Sequence, residues 1–370
     1  MRSGSRRIWR GAAARALAVL GLLAGLYGCA NFSPSGDSGP GHDAPVAAAA
    51  GSGATAASRS PAAPGAQGEV LGANARLLVY RAAAGDHYAG IAARFLGAAD
   101  QGWQIAEANA QTPLRPGSPL VVPLQPLHPL GVHGDRLQLV PILCYHRLGS
   151  TASRMSVAPA QFEAQMAWLV ENGYHVVRLA DLGEFLAGRR PLPQRSVVLT
   201  FDDGYASFHR FAYPVLKKFG LPATVFVYTD FIGGRDALSW AQMQEMHASG
   251  LVDLQSHTKS HRNLTELRPG ESEERYRASL DTELRLPREL LQRRLAGLAV
   301  HQLAYPYGDA DGTVIEAAER NGYTLGATVV PGGNAFFAAP MMLRRTMIFG
   351  DTTLEGFKSH LQVSRNLEAP

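Results

Sequence analysis

The second half of the sequence predicts an α/β fold, in which a parallel sheet is closed or wound with helices on its outside. From Leu139 onward, short apolar runs typical of buried strands alternate with segments of helical periodicity. Three of the apolar runs are followed by distinctive motifs, two of them rich in polar residues and one a turn that contains proline and glycine. Because α/β proteins carry their chemistry at the carboxyl ends of parallel strands, this placement supports the same fold class and indicates where a site would form.

The first 28 residues predict a signal peptide. Five arginines precede an apolar run over 16–27, which is too short to cross a bilayer comfortably and has the shape of a secretory signal. The run ends Leu-Tyr-Gly-Cys at 26–29, which resembles the bacterial lipobox, where the cysteine is acylated and becomes the first mature residue. An ordinary secretory signal followed by a chance cysteine is the alternative.

The lipobox resemblance implies a lipoprotein that is acylated at Cys29. Ala30 rather than aspartate follows the cysteine, and in Gram-negative lipoproteins this implies the outer membrane, with the protein facing the periplasm. Lipid chains hold a protein on a membrane surface without crossing it, since each buried methylene contributes ~0.8 kcal/mol.

The charge distribution argues against nucleic acid as a partner. The formal net charge of the chain is +4, but removal of residues 1–28 takes away five arginines and leaves −1. A nearly neutral mature chain has no general electrostatic attraction for a phosphate polymer. The two cysteines, Cys29 and Cys144, do not suggest a disulfide framework.

A linker and a small module are predicted ahead of the main domain. Residues 29–74 are rich in Ala, Gly, Ser and Pro and bury too little apolar surface to offset their ordering entropy, which predicts a disordered tether. Residues 75–127 predict two short helices between strands at 77–80 and 120–123. This βααβ unit resembles the LysM module, which binds N-acetylglucosamine chains. A packing module that binds no sugar is the alternative.

Three motifs at the ends of predicted strands suggest a catalytic site. Asp202 and Asp203 follow an apolar run, and two adjacent carboxylates repel one another unless a cation or hydrogen bonds compensate. His257 and His261 are four residues apart, so that on one helical turn both imidazoles could face a single ion. The third motif, Tyr-Pro-Tyr-Gly at 305–308, is a constrained turn that can aim a backbone N–H into a site.

Taken singly, these motifs have ordinary explanations as a turn, a surface histidine pair and a tight loop. In combination and in this order, they resemble the polysaccharide deacetylases, the NodB-homology group called carbohydrate esterase family 4. The resemblance covers 139–361 and rests on Thr-Phe-Asp-Asp-Gly at 200–204, His-Thr-Lys-Ser-His at 257–261 and the motif at 305–308. It implies an irregular (β/α) barrel, and we assign this domain to 137–370.

The resemblance also implies the roles of individual residues. Asp203, His257 and His261 would hold a divalent metal ion, for which zinc is preferred, with cobalt or nickel also possible. Asp202 would act as the general base. The backbone N–H of Tyr307 would meet the tetrahedral oxyanion.

Two positions depart from the commonest family pattern. No convincing Leu-x-His histidine lies near the end of the domain, but Tyr145-His146 matches the poly-N-acetylglucosamine deacetylase subgroup. We therefore assign His146 as the acid that protonates the departing amine, with a core or loop histidine as the alternative. Where many members carry an arginine this chain has Ala304, and Arg344 or Arg345 could supply the charge from another strand.

These resemblances imply a metal-dependent N-deacetylase that acts on a polysaccharide containing N-acetylglucosamine and releases acetate. The subgroup resemblance slightly favours a poly-N-acetylglucosamine exopolysaccharide, whereas the LysM-like module favours peptidoglycan. The same motifs are compatible with an O-acetyl carbohydrate esterase and with a non-catalytic wall-binding lipoprotein. The expected partners are the polysaccharide and, through the lipid anchor alone, the membrane, while any export machinery stays open.

Overall fold

The computed structural model describes residues 68–150 and 153–367. The predicted signal peptide, Cys29 and almost all of the predicted tether lie outside these residues. The described residues belong to one compact unit, which includes both the small module and the main domain. Within the described part of the chain, no helix combines the length and apolar character needed to cross a membrane.

The small module is a three-stranded antiparallel sheet that packs against two helices. β2 lies in the centre, with β1 and β3 on either side. Alternate residues of β2 are buried, as expected of a sheet with one face on a core. In chain order the elements are β1 (Glu69–Ala73), β2 (Leu77–Arg81), α1 (Tyr88–Phe95), α2 (Gly102–Ala108) and β3 (Pro119–Pro123). The core of the module contains Leu78, Tyr80, Ile91, Ala92, Ile105, Leu120 and Val122.

β1 differs from the sequence prediction, which placed residues 29–74 in the tether. All five residues of β1 are exposed, so their side chains contribute little burial. The strand is held instead by antiparallel pairing with β2, in which Glu69 lies opposite Arg81. Apolar composition predicts which segments can be buried. It does not detect a strand that is held by backbone pairing on the edge of an existing sheet. The module thus includes residues 69–73, which the sequence analysis had assigned to the tether.

The main domain alternates strands and helices, as its sequence pattern predicted. In chain order its elements are β4 (Arg136–Gln138), β5 (Val140–Tyr145), β6 (Arg147–Leu148), β7 (Ser156–Val157), α3 (Pro159–Glu171), β8 (His175–Val176), α4 (Leu179–Leu186), β9 (Ser196–Phe201), α5 (Tyr213–Phe219), β10 (Ala223–Val227), α6 (Trp240–Ala248), β11 (Val252–Ser256), α7 (Glu273–Arg294), β12 (Gln302–Ala304), α8 (Gly312–Arg320), β13 (Leu325–Ala327), β14 (Gly333–Asn334), β15 (Thr346–Met347), α9 (Leu354–Ser359) and β16 (Ser364–Asn366).

The principal sheet has the strand order β13-β12-β11-β10-β9-β5-β14. Neighbouring strands in it are parallel, except that β14 runs antiparallel to β5. β15 pairs with β5 and β8 pairs with β9 outside this path. A curled half-barrel sheet with surrounding helices confirms the predicted α/β class and the irregular (β/α) barrel.

The central strands are buried on both faces. Every residue of β5, β9 and β10 is buried, which explains their continuous apolar runs. Neighbouring residues of β9 belong to separate apolar clusters, because successive side chains of a strand point to opposite faces. Leu199 packs in the cluster that contains Phe162 of α3, whereas Val198 packs in the cluster that contains Phe185 of α4.

The parallel register places the three predicted motifs at one edge of the sheet. Phe201 at the end of β9 pairs with Val225 of β10, and Ser256 at the end of β11 pairs with Leu303 of β12. The segments that follow β9, β11 and β12 therefore leave the sheet on the same side, where the chemistry of α/β barrels is normally found.

Candidate metal centre and active site

Asp203, His257 and His261 converge at this edge of the sheet. Oδ1 of Asp203 lies 3.5 Å from Nε2 of His257 and 3.3 Å from Nε2 of His261. One potential ligand atom from each residue lies within 4.8 Å of the others. Asp203 and His257 are buried, and His261 is partly buried. A carboxylate oxygen and two imidazole nitrogens at these separations are able to share one cation.

The orientation of His257 is fixed by the neighbouring strand. Its Nδ1 lies 2.7 Å from the carbonyl oxygen of Ala304 in β12. Because a carbonyl oxygen only accepts hydrogen bonds, Nδ1 carries a proton, and Nε2 is the ring nitrogen left to face Asp203 or a cation. Metal-binding histidines commonly make such an outer hydrogen bond, which sets both tautomer and ring orientation.

The surroundings of Asp203 and His257 shift the pKa of both groups. Burial alone would raise the pKa of Asp203, but hydrogen bonds with His257 and His261 outweigh it and lower that pKa well below its usual range. Burial also opposes a charged His257, yet the hydrogen bond to Asp203 and the charges of Asp202 and Asp203 raise the pKa of His257. The pocket therefore stabilises positive charge at the point where the three groups meet.

The loop 257–261 corrects one detail of the sequence analysis, which placed both histidines on a helical turn. These residues are not helical. Thr258 and His261 instead have positive φ angles of 71° and 63°, which L-residues adopt only where the surroundings hold them. The N–H of His261 donates to Oγ1 of Thr258 over 3.1 Å. This compact loop brings the two imidazole centroids within 4.7 Å of each other.

Glu283 of α7 holds the loop in place, a role that the sequence analysis missed. Its Oε2 accepts hydrogen bonds from the N–H groups of Lys259 and Ser260, over 3.1 and 2.8 Å. Its Oε1 accepts from the Ser260 hydroxyl over 2.6 Å. The available signal was a glutamate within the apolar stripe of a helix, since Glu283 is buried together with Leu280 and Leu284.

Asp202 makes a buried, bidentate ion pair with Arg345. Nη1 and Nη2 of Arg345 each donate to one carboxylate oxygen of Asp202 over 2.7 Å. Nε of Arg345 donates to the Thr328 carbonyl oxygen over 2.8 Å, and the side chain is fully buried. Burial alone would raise the pKa of Asp202, but the charge and hydrogen bonds of Arg345, together with His257 and His146, outweigh burial and lower that pKa. Of the two arginines that the sequence left open, Arg345 is therefore the partner, and Arg344 donates to the Pro331 carbonyl oxygen instead.

His146 lies beside the same carboxylate. One nitrogen of His146, the sulfur of Cys144 and a carboxylate oxygen of Asp202 lie within 4.8 Å of one another. The Cys144 thiol also donates to Oδ2 of Asp202 over 3.4 Å. Burial lowers the pKa of His146. The structure thus brings the predicted acid and the predicted base to one site, together with a buried thiol that sequence reasoning did not assign.

Tyr307 forms part of the rim of the site. It lies in a short 3₁₀ turn, Pro306–Gly308, and has a positive φ of 62°. Its ring packs against His261 with centroids 5.0 Å apart, and 62% of the residue is exposed. Tyr228 contacts the same imidazole, with centroids 5.1 Å apart. The turn that sequence analysis singled out therefore abuts the histidine cluster.

A (β/α) half barrel with an Asp-His-His cluster and a second aspartate at its strand ends has the architecture of a hydrolytic enzyme. Residues 189–326 match the family model for polysaccharide deacetylases. The chain is also 30% identical over 227 residues to YxkH of Bacillus subtilis (strain 168), a protein assigned to the polysaccharide deacetylases. That match covers 60% of this chain and 76% of the relative. The chain belongs to the polysaccharide deacetylase family and is a hydrolase.

The chain is also similar to proteins named for a particular polymer. It is 31% identical over 212 residues to the poly-β-1,6-N-acetyl-D-glucosamine N-deacetylase of Escherichia coli (strain K12). That match covers 48% of this chain and 31% of the relative. The solved structure of IcaB from Ammonifex degensii is similar with a TM-score of 0.55 and 29% identity, covering 61% of this chain and 98% of IcaB.

Proposed function

We propose that the protein is a metal-dependent N-deacetylase that hydrolyses the acetamide of N-acetylglucosamine units in a polysaccharide and releases acetate. The observation that carries this proposal is the convergence of Asp203, His257 and His261 beside the pair of Asp202 and Arg345. A poly-β-1,6-N-acetylglucosamine polymer is favoured as the substrate, because that is the polymer for which the Escherichia coli relative is named.

The three proposed metal ligands fit a catalytic divalent cation. Two imidazole nitrogens and one carboxylate oxygen suit zinc, and also cobalt or nickel, and leave coordination positions open. Bound at Asp203, His257 and His261, such a cation would polarise the acetamide carbonyl and lower the pKa of the attacking water. The hydrogen bond from His257 to Ala304 supports this role because it leaves Nε2 available.

Asp202 acts in this proposal as the general base. Arg345 keeps the carboxylate ionised at neutral pH by lowering its pKa. Each carboxylate oxygen has two lone pairs, so a bond to Arg345 leaves capacity to accept a further proton. Asp202 takes the proton from water as the water oxygen adds to the acetamide carbon.

His146 and Tyr307 act in the second half of the reaction. The Tyr307 N–H donates to the oxyanion that develops on the acetamide oxygen. His146 then gives a proton to the sugar nitrogen as the C–N bond breaks, which leaves acetate and a free amine. Burial lowers the pKa of His146, which makes its protonated form a stronger proton donor.

The segments ahead of the catalytic domain would localise this activity. We propose that residues 1–28 are a signal peptide, that acylated Cys29 holds the protein on the periplasmic face of the outer membrane, and that the module binds glycan as LysM modules do. Binding of the polymer by the module would raise its effective concentration at the active site.

Release of acetate and appearance of free amines on two polymers tests the proposal. We expect the purified protein to deacetylate poly-β-1,6-N-acetylglucosamine faster than peptidoglycan. The LysM-like module favours peptidoglycan as the second candidate, and activity on peptidoglycan alone would reverse this order. Acetate release from neither polymer in the presence of added zinc would refute the proposed function.

A further inference from the structure

Three adjoining clefts lie at or beside the seam between the small module and the main domain. The middle cleft has a volume of about 260 Å³ and is lined by α2, by residues of the segment 123–138 and by residues of the segment 191–194 ahead of β9. A cleft of about 370 Å³ adjoins it on one side, and a smaller cleft of about 70 Å³, lined by the main domain alone, adjoins it on another. The first two parts share Trp103, Pro191 and Leu192, and the first and third share His133, Arg136, Gln138 and Gln194. We call these three clefts the seam groove.

Polar contacts across the seam keep this groove in a fixed shape. Arg190 donates to Asp100 of the module over 2.7 Å and to Asp181 of the main domain over 2.9 Å. The N–H of Gln194 donates to Oε1 of Glu107 in α2 over 3.0 Å. Each exposed contact is individually weak, but together they set the position of α2 against the main domain. A ligand therefore meets a preformed surface and loses less free energy to ordering.

The lining combines one large aromatic ring with planar polar groups. Trp103 borders two of the three clefts and lies at their junction. Gln104, Glu107, Arg136 and Gln194 line the middle part around it. A pyranose ring offers an apolar C–H face to an indole and a rim of hydroxyl and acetamide groups to amide, carboxylate and guanidinium groups.

The charges of the seam groove favour a neutral polymer over a cationic one. Its lining contains four arginines and three carboxylates, and two of the carboxylates, Asp100 and Asp181, accept hydrogen bonds from Arg190. Within residues 68–150 and 153–367, Arg178 and Arg195 make no ion pair with a carboxylate. Arg178 donates to the Gly250 carbonyl oxygen, and Arg195 lies 4.4 Å from the centroid of the Tyr174 ring. Ammonium groups of a deacetylated chain would meet repulsion from these arginines.

We propose that the seam groove binds a segment of neutral, N-acetylated polysaccharide outside the catalytic site. This inference rests on the proposed function for its choice of polymer. Because the groove is lined by both the module and the main domain, it would hold a chain at a fixed position relative to the active site. Stretches that still carry acetyl groups would be retained, and deacetylated stretches would be released.

Binding of oligosaccharides to the full chain tests this inference. An Asp202→Asn background prevents conversion of the ligand, and calorimetric titration uses hexamers of N-acetylglucosamine and of glucosamine. We expect the acetylated hexamer to bind at the seam groove as well as at the catalytic site. Trp103→Ala should weaken the groove component about tenfold, equivalent to ~1.4 kcal/mol, and leave the catalytic component unchanged. Phe337→Ala is the matched control, because Phe337 is 62% exposed and lies outside the seam groove.

A second variant covers the case in which Trp103→Ala unfolds or detaches the module. Arg136→Gln changes a half-buried lining residue and should weaken the same component severalfold. Unchanged affinity in this variant, or equal affinity of the groove for the glucosamine hexamer, would overturn the inference. Failure of the proposed function has a different signature, namely absence of acetate release by the wild-type protein, so the two results are distinguishable.

Discussion

Two neighbouring aspartates have different partners at the scale of single residues. Asp203 faces His257 and His261, whereas Asp202 faces Arg345. The positive φ of 75° at Asp203 belongs to the turn that separates their directions. Because each carboxylate has its own positively charged or protonatable partner, the repulsion expected between adjacent carboxylates is offset.

Replacement of Asp202 by asparagine tests its role as the base. Asp202→Asn keeps the shape of the side chain but removes its ability to accept a proton, and loss of a general base lowers kcat by roughly 10²–10⁴-fold. Acetate release under saturating polymer measures the effect. Asp253→Asn is a matched control, because Asp253 lies near the amino end of β11, whereas the site lies at the carboxyl end. Oδ1 of Asp253 accepts a hydrogen bond from Gln255. An active Asp202→Asn enzyme would exclude Asp202 as the base.

Removal of Arg345 tests the buried ion pair. Arg345→Met leaves the charge of Asp202 buried without its partner and should cost about 3–5 kcal/mol in the free energy of unfolding. The same change should cost less in an Asp202→Asn background, because no buried carboxylate is then left unpaired. Urea unfolding of the four proteins measures the difference. Equal costs in both backgrounds would contradict the pairing.

The same variant predicts a change in pH dependence. Arg345 lowers the pKa of Asp202, so the stabilisation from this pair is present above the unfolded pKa and is lost as pH falls through the folded pKa. Without Arg345 the pKa of Asp202 rises, and the acidic limb of the pH–rate profile should move to higher pH. A limb that stays in place would show that another group controls it.

At the scale of elements, the site depends on how one helix supports one loop. Glu283 of α7 accepts three hydrogen bonds from Lys259 and Ser260, and the loop carries both histidines. Glu283→Ala should therefore weaken zinc binding by roughly 10–100-fold, as loss of an outer hydrogen-bonding group commonly does. Zinc titration with a competing chelator measures this. Glu289→Ala on the same helix is the control, because Glu289 is exposed and pairs with Arg285 of its own helix.

Sequence patterns predicted the strands and the motifs at their ends for a physical reason. β9 and β10 are buried on both faces, so their apolar runs are continuous and easily recognised. The partner of Asp202 was harder to predict from the sequence, because Arg344 and Arg345 are adjacent. Only the folded path of the chain decides which of the two side chains reaches Asp202. The loop at 257–261 and strand β1 were missed since hydrogen bonds rather than apolar burial determine them.

At the scale of the whole molecule, the proposed ligands come from two distant segments that meet only when the sheet is formed. Asp203 follows β9 and His257 follows β11, with β10 between these strands. A cation held by both segments would bind the folded chain in preference to the unfolded one. Metal binding should therefore be linked to global stability.

That linkage predicts a metal-dependent unfolding transition. Free zinc at about a hundred times Kd should raise the free energy of unfolding by ~2.7 kcal/mol if the unfolded chain binds none. Asp203→Asn should remove most of this increase, since one of three ligands is weakened. Thermal unfolding with and without zinc, after treatment with chelator, provides the comparison. An equal increase in both proteins would place the stabilising ion elsewhere.

The most direct test of the central claim is the metal content of the purified protein, measured together with acetate release from an N-acetylglucosamine polymer. We predict one divalent ion per chain, loss of acetate release on chelation and its recovery when zinc is returned. Asp203→Ala combined with His257→Ala should retain neither the ion nor the activity. Full activity in the chelated wild-type protein, or one tightly bound ion in the double variant, would contradict the account.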